Sequence, residues 1–430
     1  MKHVVTIGGG FAGLHLVRRL ARNKDTMITL VDRNNYCFFP PLLYQVATGF
    51  LEQSNIAYPY RRMLRGYPNI KVRMAEFLRV RPERNTVVLS TGELKYDQLV
   101  IAAGVGTNYF GMNAIREAAI PMKSLGDALK LRNHLLEQVE RASDDLNDGG
   151  KAKYLSIVIA GNGPTGVELA GMLANMQHDI LYRDYPDLKT SPVRPQIVLV
   201  GNSRVLGAMS EVSSGYCLDS LTQMGVDVRT DLLVKDYTDG KVLFSNGESI
   251  DTKTLIWAAG VTGQRFEGLP ADAFGPGGRI KTDPFNRVIG ADNIYAIGDS
   301  CIQFHDAAWP KGHPQMAQVA IQQGQNLAYN LGLMDGGQQR PFLYHDKGSM
   351  AIIGRNKAVV DLPRGSHFRG IVAWFLWLGV HLFSLMRRRN RITTFFNWAV
   401  AYFTRDQSLR MIVRPSKEEP GMQDQNTMSK

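Results

Sequence analysis

The chain has 430 residues, 44% of them hydrophobic and 21% charged, which is the composition of an ordinary globular protein with two or three domains. Its three cysteines lie far apart and form no C-x-x-C, which argues against a disulfide framework and a zinc site. We therefore expect no metal and a reducing compartment. The formal net charge is +11, and no apolar leader precedes the first predicted strand, so we expect no signal peptide.

Residues 2–13, KHVVTIGGGFAG, predict a buried parallel strand that leads into a glycine turn and a helix. Gly8, Gly10 and Gly13 form a G-x-G-x-x-G motif. In such motifs one glycine makes the tight turn, one lets the backbone approach a pyrophosphate, and one lets the helix pack closely on the strand. The phosphates would lie at the positive end of the helix, so the motif predicts a dinucleotide site.

A second strand, predicted at residues 27–31, ends at Asp32, about where an acid binds a ribose hydroxyl in such sites. A chance glycine turn is the alternative, but the two strands, the helix and the acid together favour dinucleotide binding. Beyond Asp32 we expect an aromatic and proline-rich loop at residues 34–49, an antiparallel meander at 70–90 and a buried strand at 98–104.

The opening pattern recurs after a charged helix predicted at residues 124–147 and a linker at 148–150. A strand at 155–160 leads into a second glycine turn and a helix, and a strand at 196–200 completes the second unit. The glycines of this second G-x-G-x-x-G are Gly161, Gly163 and Gly166. A later strand ending in Ala-Gly matches the one that closes the first unit, so the repeat has the size of a whole domain.

The excess positive charge lies near the C terminus, where residues 361–415 contain nine arginines, two acids and no lysine. Such a cluster indicates an anionic surface of lipid or nucleic acid. Residues 371–386 are apolar but short for a membrane-spanning helix, and a buried core helix is the alternative. Residues 391–403 are aromatic and flanked by arginines, as in helices that lie in the membrane interface. Nucleic acid would not need so much aromatic surface, so we expect an anionic membrane surface and no nucleic acid.

A short strand at residues 293–299 and a helix at 315–330 would complete the first unit. The sequence therefore predicts an α/β fold with two Rossmann-like dinucleotide-binding domains, the second inserted into the first, and a C-terminal amphipathic helical segment that binds membranes. The expected boundaries are 1–112 and 276–335 for the first domain, 113–275 for the second, 336–414 for a membrane-associating and dimerisation region, and 415–430 for a disordered tail.

The two glycine motifs, with Gly298 and Asp299 after the late strand, resemble the flavoprotein superfamily with two dinucleotide-binding domains. This resemblance implies that the first motif holds the FAD pyrophosphate, that Asp32 holds the adenosine ribose, and that Gly298 and Asp299 meet the pyrophosphate and ribityl chain. It also implies that the second motif binds NAD(P)H. Further cofactor-binding residues implied by the resemblance are Phe11, Ala12, Arg33, Ala103, Gly104, Pro164, Thr165, Glu168, Ala259, Gly260, Ala317 and Gln318.

Within that superfamily, residues 2–414 most closely resemble the type II NADH:quinone oxidoreductases, which are single-subunit and do not pump ions. The matching passages are PLLYQVATG at 41–49, YDQLVIAAG at 96–104, TNYFG at 107–111, GPTGVELAG at 163–171, AQVAIQQG at 317–324 and KGSMAIIGR at 347–355. The resemblance implies a peripheral flavoenzyme on the cytoplasmic face of the inner (cell) membrane. It would oxidise NADH and pass two electrons through FAD to ubiquinone or menaquinone. A homodimer is implied as well.

Four residues carry the expected catalysis. Gln318 and Gln322 match the family's quinone motif, A-Q-x-A-x-Q; they share one helix face, and their amides can bond quinone carbonyls without adding charge. On pattern alone, such a pair is more often a solvated helix face. Glu168 either favours the positive end of its helix or, as in the family, lies beside the nicotinamide. Lys347 is either a surface lysine or, by its family position, a cation that stabilises reduced flavin.

Some positions depart from the family pattern. Gly201 follows the strand at 196–200 where an acid should bind the NADH ribose, and nearby Arg204 would suit a 2′-phosphate. NADH is our expectation, but the sequence leaves NADPH open. Cys37 and Met172 stand where relatives often carry His and Glu, and their roles are open.

Two other functions are weighed against this one. A sulfide:quinone-type reductase would need a cysteine pair near the flavin, and Cys37, Cys217 and Cys301 do not form a persuasive pair. A redox signalling or scaffold flavoprotein of the apoptosis-inducing-factor kind would turn over poorly with any quinone.

Overall fold

Two five-stranded parallel sheets organise the computed structural model, in which residues 1–333, 337–406 and 409–413 are described. The strands of the first sheet, in spatial order, are Ile294–Ala296, Gln98–Ile101, Lys2–Ile7, Thr26–Asp32 and Ile70–Met74. Those of the second sheet are Ile120–Pro121, Thr254–Trp257, Ser156–Ala160, Gln196–Val200 and Val226–Arg229. Each glycine turn follows the middle strand of its sheet, where chain connections leave in opposite directions and ligands bind in open parallel sheets.

The second sheet is inserted into the first. Strand Ile294–Ala296 comes after every strand of the second sheet in the sequence, yet it pairs with Gln98–Ile101 in the first sheet. The predicted fold class is therefore confirmed, while the exact domain boundaries stay predictions. A two-stranded antiparallel ribbon, Val105–Thr107 with Val261–Gly263, joins the two units directly after their Ala-Gly ends.

Antiparallel meanders accompany both sheets. The first has strands Phe77–Arg81, Thr86–Leu89 and Gly92–Lys95; the second has Val234–Thr238, Lys241–Phe244 and Ser249–Asp251. The meander predicted at residues 70–90 is confirmed for Phe77–Arg81 and Thr86–Leu89, but it was wrong for Ile70–Met74, which is the edge strand of the first parallel sheet. Alternation of apolar and polar residues describes an edge strand as well as a meander strand. Smaller pairs are Tyr36–Phe38 with Ala57–Pro59, and Ile280–Lys281 with Cys301–Ile302.

The α-helices lie mainly against these sheets. Their bounds are Phe11–Leu20, Leu43–Ala47, Gln53–Ile56, Tyr60–Met63, Asn113–Ala118, Leu125–Asp144, Asp148–Leu155, Pro164–Met176, Tyr182–Asp184, Pro186–Thr190, Glu211–Gln223, Ala317–Leu331, Gly370–Ser384 and Arg388–Thr404. A π-helical turn, Gln177–Leu181, continues the helix at Pro164–Met176. The first turn of Leu125–Asp144 has a capping box between Ser124 and Asp127.

Two segments expected to be irregular are helical. The loop predicted at residues 34–49 contains Leu43–Ala47, a helix whose five side chains are all buried. The linker predicted at 148–150 begins helix Asp148–Leu155, because Asn147 caps it through the Gly149 N–H.

The C-terminal part consists of an antiparallel sheet, Ser349–Gly354, Lys357–Asp361 and His367–Arg369, and two helices. We call Gly370–Ser384 the first terminal helix and Arg388–Thr404 the second. Each buries only three side chains and exposes many large apolar ones; Phe383 is 72% exposed and Phe403 83%. The alternative of a buried core helix at 371–386 is therefore wrong. Among the described residues, no helix has both the length and the apolar character needed to cross a membrane. The predicted disordered tail lies outside the described residues.

Candidate functional site

The two glycine turns have the same geometry. An added Cβ at Gly8 or Gly161, the first glycines, would lie 2.3 Å from the carbonyl oxygen of the strand beside the turn. An added Cβ at the third glycines, Gly13 and Gly166, would lie 1.9 and 1.8 Å from the carbonyl oxygen of the first glycine. The sequence thus uses glycine where backbone meets backbone, as the motif requires.

The middle glycine of each turn faces open space. A Cβ at Gly10 or Gly163 would meet no heavy atom within 4 Å. Each of these glycines caps its helix, Phe11–Leu20 or Pro164–Met176, without a capping side chain and without an acid in the first turn. The free N–H groups and the helix dipole can therefore bind a pyrophosphate at both turns.

Asp32 is fixed beside the first turn. Its Oδ2 accepts hydrogen bonds from the Gly9 N–H (2.8 Å) and the Tyr60 hydroxyl (3.0 Å), and its Oδ1 accepts one from the Asn34 N–H (2.8 Å). The carboxylate is thus held at the end of the second strand with acceptor capacity left over for a ribose hydroxyl. Arg33, also predicted to bind a cofactor, is exposed beside it.

The late strand brings Gly298 to the first turn. A Cβ at Gly298 would lie 3.0 Å from that of Ala12, and a Cβ at Gly324 would lie 2.3 Å from the Ala12 carbonyl oxygen. The Gly298 N–H also donates to Gln323 Oε1 (2.7 Å). Strand Ile294–Ala296 and helix Ala317–Leu331, although about 300 residues away in sequence, therefore form part of the first site.

Asp299 next to Gly298 has cationic neighbours that the sequence did not predict. Burial raises the pKa of the Asp299 carboxyl, and the charges of Lys123 and Arg279 oppose this rise. Burial lowers the pKa of Lys123, whose ammonium faces Asp299. Lys123 follows a short strand of the second sheet, so only the packing of the two units reveals it.

The Ala-Gly ends of the two units face each other across the ribbon. Gly104 adopts a left-handed conformation (φ +67°) and a Cβ there would meet no atom within 4 Å, so the backbone after Ala103 is open to a ligand. At the second unit, the Gly260 carbonyl accepts the Asn108 N–H (3.0 Å), and Ala259 is exposed. Ala317 begins the helix that follows Asp299, and Pro164 and Thr165 are exposed in the first turn of theirs.

Gly201 is explained by its neighbour Asn162. A Cβ at Gly201 would lie 2.1 Å from Asn162 Cγ, and the Asn162 amide is held by the Ser203 carbonyl (2.5 Å). The Asn162 side chain therefore occupies the space an acid at 201 would need. One nitrogen of the exposed Arg204 guanidinium donates to the carbonyls of Gly207 (3.2 Å) and Met209 (2.7 Å), and its contact with a 2′-phosphate stays a prediction.

Glu168 lies where helix Pro164–Met176 meets the C-terminal sheet. Burial raises the pKa of the Glu168 carboxyl to about 8, although the Ile352 backbone and the Trp377 indole partly favour the charged form. The helix approaches the sheet closely because Gly171 has no side chain; a Cβ there would lie 1.6 Å from the Ile353 carbonyl oxygen. Burial therefore favours the protonated carboxyl, which is the form that can donate a proton.

Aromatic rings line the space between the first turn and Glu168. Phe11 of the first turn contacts Phe39 edge to face (centroids 5.7 Å apart), and Phe39 contacts His381 in the same way (6.1 Å). His381 stacks on Trp377 at 3.9 Å, and the buried Trp377 indole faces the Glu168 carboxyl. Burial lowers the pKa of His381 to about 4, so its ring is neutral at neutral pH. Flat apolar walls beside a few polar groups suit an aromatic ligand that has polar oxygens.

The amides of Gln318 and Gln322 bind backbone. Gln318 Nε2 donates to the Gly348 carbonyl (2.8 Å) and its Oε1 accepts the Lys347 N–H (3.1 Å); Gln322 forms the same pair with His345 (2.9 and 3.0 Å). Asn326 and Asn330, further along the same helix face, both donate to the Arg340 carbonyl. We call these four residues the amide stripe. It fixes the extended segment that carries Lys347, and this geometry does not favour the predicted direct contact of the two glutamines with quinone carbonyls.

The cysteines are separate and protonated. Cys37, Cys217 and Cys301 are all buried and unpaired, and they belong to three different hydrophobic clusters. Burial raises the thiol pKa to about 12 for Cys37 and Cys217 and to about 11 for Cys301. Cys37 contacts Met386 (Sγ to Sδ 3.2 Å), and Met172 packs in the largest core. Among the described residues, no group of three His, Cys, Asp or Glu side chains could hold a metal ion.

Family models match most of the chain. The pyridine nucleotide-disulphide oxidoreductase family matches residues 2–324, which include both glycine turns and the first half of helix Ala317–Leu331. The NDH2 C-terminal domain matches residues 346–406, which include Lys347 and both terminal helices. Together the two models include Asp32, Glu168 and Lys347.

Individual proteins agree with the family models. A type II NADH:quinone oxidoreductase of Mycobacterium tuberculosis is 32% identical over 417 residues, covering 93% of this chain and 88% of its own. An internal alternative NAD(P)H-ubiquinone oxidoreductase A1 of Arabidopsis thaliana mitochondria is 29% identical, covering 94% and 85%. The solved structure of NDH2 from Plasmodium falciparum in complex with NADH has the same fold, with a TM-score of 0.86, 21% identity, and coverage of 96% of this chain and 100% of that one.

Proposed function

Because this chain belongs to the type II NADH:quinone oxidoreductases, in the pyridine nucleotide-disulphide oxidoreductase family, we propose that it reduces a membrane quinone at a site formed by Glu168 and the terminal helices. The reaction of the family is the oxidation of NADH with a quinone as acceptor, and the cofactors are FAD and NADH. The overall change is NADH + H⁺ + quinone to NAD⁺ + quinol.

The first glycine turn is proposed as the FAD site and the second as the NADH site. The open space at Gly10, the fixed carboxylate of Asp32 and the close approach of Gly298 fit a dinucleotide that spans the first unit. When bound, FAD accepts a hydride equivalent from NADH and passes two electrons to the quinone. Phe11 of this turn contacts Phe39, which contacts His381, so aromatic side chains connect the proposed FAD site with the C-terminal region.

The position of Glu168, where helix Pro164–Met176 meets the C-terminal sheet beside the stacked rings of Trp377 and His381, is the observation that carries the proposal. Quinone reduction consumes two protons, and a general acid works best when its pKa is close to the operating pH. With a pKa of about 8, the Glu168 carboxyl can give a proton to a quinone oxygen and regain it afterwards. The neutral His381 ring and the Trp377 indole, which faces the Glu168 carboxyl, complete a site with polar groups and little charge.

Lys347 and the amide stripe are proposed as supporting residues. Gln318 and Gln322 hold the backbone on both sides of Lys347, so they position its ammonium without touching the substrate. A cation held near the first site would stabilise the negative charge that the bound flavin gains when it is reduced. This assigns the glutamines to positioning, while Glu168 remains the proton donor.

The terminal helices are proposed to lie in the membrane interface. Both expose aromatic and aliphatic side chains, and arginines flank them, which is the composition of interfacial helices. Quinone is a lipid-soluble substrate, so an interface at these helices lets it reach Glu168 from the membrane. NADH and the three unpaired cysteines suit the cytoplasmic face. A homodimer stays a prediction, and sedimentation of the detergent-solubilised protein would test it.

Sulfide oxidation and a purely signalling role receive less support. Sulfide oxidation requires a reactive cysteine pair beside the cofactor, and all three cysteines of this chain are buried, separated and held as thiols. A signalling flavoprotein would not need a proton donor at a membrane-facing site.

Steady-state kinetics tests the proposal directly. NADH and NADPH should each be assayed with ubiquinone and menaquinone analogues, with sulfide as a separate donor. We expect NADH-dependent quinone reduction and no activity with sulfide. Turnover with sulfide, or NADH oxidation that is independent of quinone, would contradict the proposal.

A further inference from the structure

A basic pocket lies beside the junction of the two terminal helices. Its cavity volume is ≈ 620 Å³. The residues that line it are Arg18, Arg62, Met63, Arg65, Gly66, Tyr67 and Arg387. We call it the arginine pocket. No residue of either glycine turn lines it, and neither does Asp32, so it is separate from both nucleotide sites.

The four guanidinium groups of this pocket are not neutralised. None of them takes part in any ion pair that the described residues form, and no carboxylate lines the pocket. Clustered like charges repel one another, so such a pocket favours an anion. Arginine donates in a planar fork that matches the oxygens of a phosphate group.

The pocket is built rather than a chance grouping of mobile side chains. Arg387 donates to the carbonyls of Met63 (3.0 Å) and Arg62 (3.4 Å), which ties the terminal helices to the helix at Tyr60–Met63. The guanidinium carbons of Arg62 and Arg387 both lie over the Tyr58 ring, 5.6 and 5.2 Å from its centroid. Two guanidinium groups on one ring fix the positive charge in place.

The position of the pocket identifies the kind of anion. Arg387 is also the N-cap of the second terminal helix, whose first turn has no acid and no side-chain cap, so the helix dipole adds to the positive potential. Arg388 and Arg389 follow it and are exposed, and Phe383, four residues before it, is exposed on the first terminal helix. Apolar side chains for the acyl region and a basic pocket beside them match the two parts of a phospholipid.

We propose that the arginine pocket binds the phosphate headgroup of an anionic phospholipid and selects such lipids over other anionic ones. This rests on the membrane association proposed above and adds a specific site to it. The pocket would fix the depth and orientation of the terminal helices relative to the lipid phosphates, so that the quinone site faces the apolar region.

A charge-matched pair of variants tests the site. Arg18→Gln with Arg65→Gln removes two exposed pocket arginines and leaves the structural contacts of Arg62 and Arg387 intact. The control, Arg19→Gln with Arg22→Gln, removes the same charge from exposed positions on or just after the same helix but outside the pocket. Flotation should compare phosphatidylcholine vesicles that contain phosphatidylglycerol with vesicles that contain oleate at equal surface potential.

Wild type should prefer the phosphatidylglycerol vesicles, and the pocket variant should lose that preference. Its affinity for these vesicles should be roughly 30-fold weaker, because each of the two removed basic groups contributes about fivefold at an anionic surface. The control should keep the preference and lose less than threefold, because its charges act only through the screened field. Equal losses in the two variants, or a wild type without headgroup preference, would overturn the site.

Two further measurements distinguish failure of the lipid site from failure of membrane association. If inorganic phosphate raises the melting temperature of wild type and not of the pocket variant, while both bind vesicles equally, the pocket is a site for soluble anions and the lipid proposal is wrong. If wild type binds no vesicles at all, membrane association itself fails. NADH oxidation with a water-soluble quinone should stay within twofold of wild type in both variants, which keeps the quinone-reductase proposal independent of this one.

Discussion

The indole Nε1 of Trp398 donates a hydrogen bond of 2.8 Å to Oε1 of Gln45. Trp398 is one of three buried residues of the second terminal helix, and Gln45 lies in the buried helix Leu43–Ala47. Gln45 Nε2 donates in turn to the hydroxyl of Tyr44 (2.9 Å), whose pKa is raised well above its usual value by burial and by the charge of Glu168. One chain of buried polar groups therefore connects a proposed membrane helix with the proposed proton donor.

Removal of one partner from this chain should cost more than removal of both. Gln45→Leu leaves the buried indole N–H unpaired, which we expect to lower the free energy of unfolding by about 1–3 kcal/mol. Gln45→Leu combined with Trp398→Phe removes donor and acceptor together and should recover part of that loss. Urea denaturation measures both. A double variant that is no more stable than Gln45→Leu would show that the bond does not hold the helix in this way.

Glu168→Gln should remove a pH dependence. In wild type, quinone reduction should fall as the pH rises through about 8, because the Glu168 carboxyl loses the proton it donates. The variant should reduce quinone at least about tenfold more slowly at neutral pH, and its rate should not show this fall at high pH. Reduction of the bound flavin by NADH should change much less. Rapid-mixing measurements of the two half-reactions separate these effects. An unchanged pH profile in the variant would assign the proton to another group.

The same carboxyl affects stability. Its folded pKa of about 8 lies above the ordinary value of 4.5, so the folded protein holds a proton that the unfolded chain releases between these pH values. Stability from this group therefore falls as the pH rises from about 4.5 to about 8. The glutamine in Glu168→Gln does not titrate. The difference between the melting temperature of the variant and that of wild type should therefore increase in favour of the variant as the pH rises across this window. A constant difference between the two would mean that the carboxyl is not buried.

The amide stripe offers an internal control. Gln318→Leu removes both hydrogen bonds that fix Lys347 and Gly348, and we expect quinone turnover to fall by roughly tenfold. Asn326→Leu removes a similar bond to Arg340 on the same helix face, further from the site, and should stay within twofold. Steady-state kinetics of the two variants measures these losses, and the FAD content of each purified protein should be checked to be unchanged. Equal losses would indicate a general effect on the helix instead of positioning of Lys347.

Alanine at the middle glycines should assign the nucleotides. Gly10→Ala and Gly163→Ala place a methyl group in open space, so both proteins should fold. Gly10→Ala should reduce the FAD bound after purification, whereas Gly163→Ala should keep its FAD and raise the KM for NADH by roughly tenfold, because the methyl group meets the phosphates. Absorbance spectra and NADH titrations measure these. Loss of FAD from Gly163→Ala with none from Gly10→Ala would reverse the assignment.

Exposed phenylalanines of the terminal helices should control membrane binding. Phe383→Ser with Phe403→Ser removes two side chains that are 72% and 83% exposed, so folding should be little affected and vesicle affinity should fall more than tenfold. Phe304→Ser with Leu146→Ser, on exposed positions elsewhere, is the control. These variants are cleaner than deletion from Ile371 onward, which would uncover the core around the buried Trp377. Similar vesicle binding by both double variants would place the membrane surface elsewhere.

The repeated nucleotide units could be predicted from sequence because their signals are local. A β-branched run, a glycine spacing and an apolar helix face lie within about 20 residues of each other at residues 2–20 and again at 155–176. The return of the late strand to the first sheet was predicted too, because Gly298 and Asp299 end it in a recognisable way. Periodicity alone did not distinguish the edge strand Ile70–Met74 from a meander.

The rest of the site has no local signal. Helix Leu43–Ala47 is buried on every side, so it shows no amphipathic period, and two prolines before it suggested a loop. Lys123, Tyr44 and Trp377 come from three distant parts of the chain and gain their roles only from packing beside Asp299 or Glu168. The glutamine motif was found by resemblance, but its hydrogen bonds to backbone depend on a segment over 20 residues further along.

The central claim is that electrons pass from NADH through bound FAD to a quinone. Anaerobic titration of the purified, FAD-containing protein tests it most directly. We predict that stoichiometric NADH bleaches the visible flavin absorbance and that a subsequent addition of quinone restores it, at a rate that Glu168→Gln slows in the second step only. Flavin that NADH bleaches but quinone does not restore would contradict the account.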